Sequence, residues 1–517
     1  MDGATLTRRS LLCTATAGAA LAGLPGAGLQ PLLAAASPPP TPWKAAGPSS
    51  LPAPAPIVHL VNRITFGRTP DELAHARALG YAGFIAEQLQ PEAIDDSELE
   101  ASLRQLFPTL TKSNAQLLTL DKPPVVLDLK SATLLRAIAS RRQLFEMMVD
   151  FWSNHFNVYH LDNKVAWYKT VDDREVIRKH AFGRFRDLLG ASAKSPAMLD
   201  YLNNATNTKT GPNENYGREV MELHTLGVDA GYTQDDVEQV ARCFTGWTIG
   251  GRKGGRTGEF YFRAADHDDG PRTVLGHVLP AGLGVDHGER VLDILAAHPA
   301  TATKIATQLC VRFVSDAPPA SVVAAVARTF TATGGDIRET MRTLLLSPEF
   351  RAAADQKFKR PLELLASAVR TLASQLGPAS NKPLLNVLRN MGQLPFDWHP
   401  PNGYPDAAGA WANTNGLLTG WNLGLALGGN HLTDLKTDLG ALAAGTPGWP
   451  QPMAGDLTDH LTARLLSRSL DPADRTKIAT YAAAGKSPQT RLTAAQAQAK
   501  LPGLVALILD SPYFQWR

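Results

Sequence analysis

The stretch SATLLRAIASRRQLFEMMVDFWSNHF, residues 131–156, decides the fold class. Leu134, Leu135, Ile138, Phe145, Met148, Val149, Trp152 and Phe156 recur at spacings of mostly three or four. That repeat puts an apolar stripe along one face of a helix, so the stretch reads as one long α-helix facing a core. His155 lies beside the stripe, at its end. The flanking segments read the same way. Before it, residues 57–89 give helix, turn and two helices, with Thr69, Pro70 and Glu72 forming a helix start and Gly80 a stop. Residues 111–126, with two prolines and weak periodicity, read as a loop. Beyond it, residues 216–226 form a helix ended by Gly227, and Thr233 to Asp236 open another that runs to about Phe244. Residues 249–262 and 273–279 carry the strand-forming residues and read together as one small hairpin. From Gly288 onward the helical pattern resumes. The expected architecture is mostly α, a large multi-helix domain over residues 57–517 with a small β-hairpin insertion and a sub-division near 280–290.

A chain of 517 residues, 44% hydrophobic and 19% charged, can bury a large core. The formal net charge of +3 gives no ground for nucleic acid or an anionic membrane as main partner. After the N-terminus, no run of apolar residues is long enough for a transmembrane anchor. Three cysteines without a CxxC pair argue against a cysteine-based zinc site. Cys243 and Cys310 read either as a disulfide or as two buried thiols.

At the N-terminus, Arg8-Arg9 precedes a mild apolar stretch, and Ala34-Ala35-Ala36 follows. The order resembles a twin-arginine export signal over residues 1–36, which implies a periplasmic or secreted location. The Pro-rich residues 37–56 read as an extended spacer.

Chemistry concentrates in residues 213–228, NENYGREVMELHTLGV. Glu219 and Glu222 share a helical face, whereas His224, two residues further, points elsewhere. Glu219, Glu222 and His224 are the candidate catalytic residues. The spacing is not the His-Glu-x-x-His pattern, so a metal here needs ligands from other segments. His155, His267 and His399 join Glu219 and His224 as the candidate ligands. Imidazole and carboxylate together suit zinc, manganese or iron, making a divalent metal the cofactor of this reading. Glu219 with Glu222 or Asp268 would suit the acid and base of a glycosidase. The plainer reading is a buried polar network in which Arg218 pairs with Glu222 and Glu219 binds backbone or Asn215. No Gly-x-Ser-x-Gly elbow, P-loop or dinucleotide fingerprint is present.

Eight ordered segments, among them LVNRITFGRTPDEL (60–73), FWSNHFNV (151–158), GYTQDDV (231–237), FTGWT (244–248), HDDGPRTVLG (267–276), FKRPLELL (358–365) and DWHPPNGYP (397–405), resemble the signature segments of the bacterial domain of unknown function numbered 1800. The resemblance spans nearly the whole chain after the export signal. It implies an exported, largely helical protein with no settled catalytic residue. It also implies a gene neighbour of the exported unknown-function 1501 family as a partner. Two readings follow: an exported metal-dependent hydrolase acting on an envelope or extracellular substrate, or a non-catalytic binding or maturation partner of a co-expressed exported protein.

Overall fold

The computed structural model describes residues 52–251 and 257–517. Residues 1–36, where an export signal is expected, and residues 37–51 of the expected spacer lie outside the described residues. The mostly α expectation holds: the described residues are 61% helical, and strands occur among them as three two-stranded pairs.

Helix α1 (Pro56–Ile64) buries Val58, Leu60, Val61 and Ile64. It also carries Arg63 into the interior, where its guanidinium donates to the carbonyls of Phe313, Val314 and Ala353, each at 2.7 Å, and to that of Arg517. Helix α2 (Pro70–Gln88) is capped by Thr69, which accepts from the Glu72 amide at 3.1 Å. The Glu72 carboxylate does not close a capping box; it turns to Arg370 at 2.8 Å. Gly80, at φ 71°, breaks the helix where the sequence placed a stop.

The long helix expected over residues 131–156 is two helices, α3 (Lys122–Ala139) and α4 (Gln143–His155). Tertiary polar contacts take over the backbone groups at the break. The Asp96 carboxylate accepts from Ser140 Oγ and the Arg141 amide. Gln143 donates to the Ala137 and Ser140 carbonyls, and Gln88 accepts from the Leu144 amide. α3 starts inside the expected loop because Pro123 and Pro124 occupy its first turn, where a missing N–H costs nothing.

Helix α5 (Glu214–Glu222) is capped by Asn213 and ends earlier than expected. The chain then continues in looser turns, with the Leu226 amide reaching the Met221 carbonyl. Helix α6 (Gln234–Cys243) has both halves of its Thr233–Asp236 capping box. The single expected hairpin is two. Strand β1 (Trp247–Ile249) pairs with β2 (Phe260–Phe262), and β3 (Arg272–Val274) with β4 (His277–Leu279). Leu275 and Gly276, both at positive φ, make the two-residue turn between β3 and β4. The Leu275 amide is held by Asp236 at 2.8 Å. Both hairpins precede α7 (Asp286–Ala297) and α8 (Pro299–Phe313).

Every residue of helix α9 (Pro361–Leu372) is buried, so it acts as the central post of the body. Helix α10 (Thr414–Gly428) packs along α11 (Ala494–Leu509). A short third pair joins β5 (Gln375–Leu376) to β6 (Leu435–Lys436). One apolar cluster includes Val58 near the start, Leu279 and Val291 on either side of 280–290, and Phe514 near the end. Residues 515–517 return to the middle of the chain. Lys357 and Arg517 exchange backbone hydrogen bonds, and the Lys359 amide donates to Gln515. Cys243 and Cys310 are separate buried thiols, each pushed up to about 12 by burial. No helix among the described residues is long and apolar enough to cross a membrane.

Candidate functional site

The C-terminal end of α4 anchors the loop of residues 397–406. The Asn154 side chain donates to the Tyr404 carbonyl at 2.8 Å and accepts from the Tyr404 amide at 2.7 Å. Asn157 donates to the carbonyls of Trp398 and Pro400. Gly403 sits at φ 71°, and a Cβ there would collide with the Asn154 backbone oxygen. Glycine is therefore required by both conformation and space.

Between this loop, α4 and α8 lies a cleft of about 350 Å³. Phe151, Asn154 and His155 of α4 form one wall. Lys304, Gln308 and Arg312, successive turns on one face of α8, form another. Trp398 and residues 402–406 form the third, and Arg360 lies at the base. Segments 151–158, 358–365 and 397–405 thus meet in one place, with Leu223 of segment 213–228 at the rim.

The base is a buried ion network. Arg312 contacts Asp150 at 3.3 Å, Asp406 at 3.7 Å and Glu363. Arg360 contacts Asp150 and Glu363, and Arg517 reaches Glu363 at 2.8 Å. Burial disfavours the Glu363 carboxylate, but the guanidiniums of Arg312, Arg517 and Arg360 outweigh it and hold the group well below the usual range. Asp406 is likewise disfavoured by burial and held low by Lys357, Arg360 and Arg312. Such carboxylates stay ionised and position arginines; they are poor proton donors.

At the rim the balance differs. Burial lowers the Lys304 ammonium to about 8, with Glu222 and Glu219 opposing the shift. Its Nζ donates to the Glu222 carbonyl. Glu219 is half-buried and raised, by burial and then by the adjacent Glu222. Glu222 pairs with Arg218 at 3.5 Å, as the polar-network reading expected, whereas the Asn215 side chain goes to the Leu202 carbonyl. His155 is lowered to about 3 by burial and by Lys304, so it is neutral at pH 7. Its Nε2 donates to the His224 carbonyl at 3.0 Å, leaving Nδ1 as an acceptor. The Gln308 side chain lies beside His155, and its hydrogen bond opposes that lowering in part.

The sequence-derived candidates therefore divide. His155 and His224 come together, ring centroids 6.1 Å apart, with Glu219 and Glu222 linked to them through Lys304. His224 is sealed behind the cleft wall, 1% exposed and against Phe156. His399 is held by its carbonyl, which accepts from Tyr201, while its exposed ring packs edge-on to Tyr159. His267 is on the hairpin insert beside Asp269 and His287. Sequence reasoning passed over Lys304, Gln308 and Arg312. Their four-residue spacing on an otherwise apolar helix was the available signal. It also passed over Arg360 and His287. His287 had no spacing signal, because the chain between it and His267 turns through a hairpin.

The family model described as "Protein of unknown function (DUF1800)" matches residues 59–516. No curated protein and no solved structure matches the chain.

Proposed function

The chain belongs to the DUF1800 family, and from that premise we propose that it is an exported hydrolase whose cleft takes a short polar segment of an envelope or extracellular polymer. One observation carries the reading. The cleft sets the polar side chains of Lys304 and Gln308 beside the aromatic side chains of Phe151, Trp398 and Tyr404. A lining that mixes hydrogen-bonding and aromatic side chains suits a ligand that supplies both donors and acceptors, as sugars and peptides do. Lys304 is the group at the rim whose charge changes near neutral pH, so it takes the proton-transfer role, with Glu219 beside it. His224, sealed in the core, supports His155 from behind.

The test is a panel of soluble glycan and peptide fragments offered to the purified chain, with Lys304→Met and Gln308→Leu variants checked for folding by circular dichroism. Binding or turnover of one fragment class, lost in both variants, supports the reading. Unchanged binding in both variants refutes this cleft as the site. A second reading is favoured by Leu418 and Leu425, more than half exposed and two turns apart on α10. In it the chain is a non-catalytic partner of an exported protein of the unknown-function 1501 family. Leu418→Asp with Leu425→Asp would then abolish co-purification with that protein and leave fragment binding intact.

A further inference from the structure

We propose that His267, Asp269 and His287 form a binding site for a divalent first-row transition metal, with zinc the ion that best fits. The three ligand atoms lie close together. His267 Nε2 and His287 Nδ1 are 3.0 Å apart. Asp269 Oδ1 is 3.8 Å from the first and 3.6 Å from the second. A triangle with those sides has its centre about 2 Å from every corner, which is the Zn–N and Zn–O bond length.

Hydrogen bonding on the far side of each ring fixes where the protons are. His267 Nδ1 faces the Thr245 carbonyl at 2.8 Å. It also faces Thr245 Oγ at 3.1 Å, whose own proton goes to the Arg242 carbonyl at 2.6 Å. Both neighbours of Nδ1 are therefore acceptors, and Nδ1 must carry the proton. His287 Nε2 faces the Pro280 carbonyl at 3.0 Å, again an acceptor. With each neutral ring donating outward, Nε2 of His267 and Nδ1 of His287 turn lone pairs toward each other and toward a carboxylate. Three lone-pair donors converging on one point repel unless a cation sits between them. An added proton would serve, but it would place an imidazolium on rings that are 4% and 0% exposed. A metal satisfies all three donors at once, and the outward bonds to carbonyls are the support that metal-bound histidines require.

The carboxylate is positioned as a ligand as well. Asp268, its neighbour, is taken up by Arg242 at 2.9 Å and by Arg272. Asp269 is left with the Gly284 amide at 2.9 Å, and its own carbonyl accepts from Gly282 at 3.0 Å. Two imidazoles and one carboxylate disfavour calcium and magnesium, which prefer all-oxygen shells, and suit zinc or its first-row neighbours. Asp269 is exposed, so solvent reaches the point from its side and leaves a fourth position for water. Among the described residues this is the group of three such side chains close enough to share a metal. It draws His267 away from the cleft and couples the hairpin insert to α7.

The experiment strips the full chain with a chelator and titrates it with zinc ion, reading stoichiometry by elemental analysis and ligand type by the visible spectrum of the cobalt(II) form. We expect one zinc per chain. His287→Ala should weaken binding by at least about 100-fold, since even loss of an outer support costs about 10–100-fold. His155→Ala and His399→Ala should leave stoichiometry at one. Asp269→Asn, a change at an exposed side chain, should shift the cobalt spectrum in a chain that stays folded. The proposal is overturned if wild-type protein takes up neither zinc nor cobalt, if binding survives His287→Ala undiminished, or if Asp269→Asn leaves the cobalt spectrum unchanged.

Discussion

Replacing Asn154 by alanine should release one end of the cleft loop while leaving the body folded. Asn154 makes two hydrogen bonds to the Tyr404 peptide, at 2.8 and 2.7 Å. Each is worth about 0.5–1.5 kcal/mol net, and the peptide left behind is only partly buried, so water compensates in part. The local loss is about 2 kcal/mol, or about 30-fold in the equilibrium for opening the loop. The two Asn157 bonds to Trp398 and Pro400 remain, so the other end stays attached. Hydrogen exchange followed by mass spectrometry should show the Tyr404 amide exchanging about 30-fold faster, with α9 amides unchanged. Asn157→Ala should loosen the Trp398 end instead. Gly403→Ala, which drives a Cβ into Asn154, should reproduce the first effect by a different cause. If Tyr404 exchange in Asn154→Ala stays within about threefold of wild type, the loop is held by something other than this clamp.

Four further outcomes follow from the described geometry. Glu363→Gln should cost about 3–5 kcal/mol, because Arg312, Arg360 and Arg517 lose their shared counter-charge; urea denaturation would show it, and a change under 1 kcal/mol would contradict the network's role. Lys304 has a folded pKa of about 8 against 10.5 unfolded, so the folded state binds fewer protons between those values. Its stability contribution therefore rises as pH climbs from 8 toward 10.5, and the wild-type minus Lys304→Met difference should show that slope. His155, at about 3 against 6.5 unfolded, contributes stability that is complete above pH 6.5 and is lost on acidification toward 3. The His155→Gln variant should show a shallower acid limb, by up to about 1.4 kcal/mol per pH unit. Arg8→Lys with Arg9→Lys should trap the chain inside the cell, read by fractionation; continued export would rule out the twin-arginine route.

The helical class was legible because apolar spacing is local, and so were the Thr69 and Thr233 caps. The division at Ser140 was not, since the side chains that satisfy it, Asp96, Gln88 and Gln143, come largely from elsewhere in the chain. The two hairpins were drawn as one because strand propensity marks strands without marking partners. In the site, sequence proximity misled. Glu219, Glu222 and His224 are close along the chain, yet His224 is sealed away. His267 found its neighbour across the β3–β4 hairpin. Asn154 and Asn157 stand on either side of His155 in the sequence, but their task of holding a distant loop appears only once Tyr404 and Trp398 are in place.

The meeting of Arg63 with Arg517 carries a consequence for biosynthesis. The Arg63 guanidinium donates to the Arg517 carbonyl, and Arg517 in turn reaches Glu363 beneath the cleft. The floor of the cleft is therefore tied together from both ends of the folded body. A ribosome-bound chain can form α1 through α9 and still lack this floor until residue 517 has emerged. Contacts of such long range close slowly, so the cleft floor is among the last parts of the body to form. A chain cut short of residue 517 would keep most of its helices and still lack the tie between Arg63 and the carboxylate beneath the cleft.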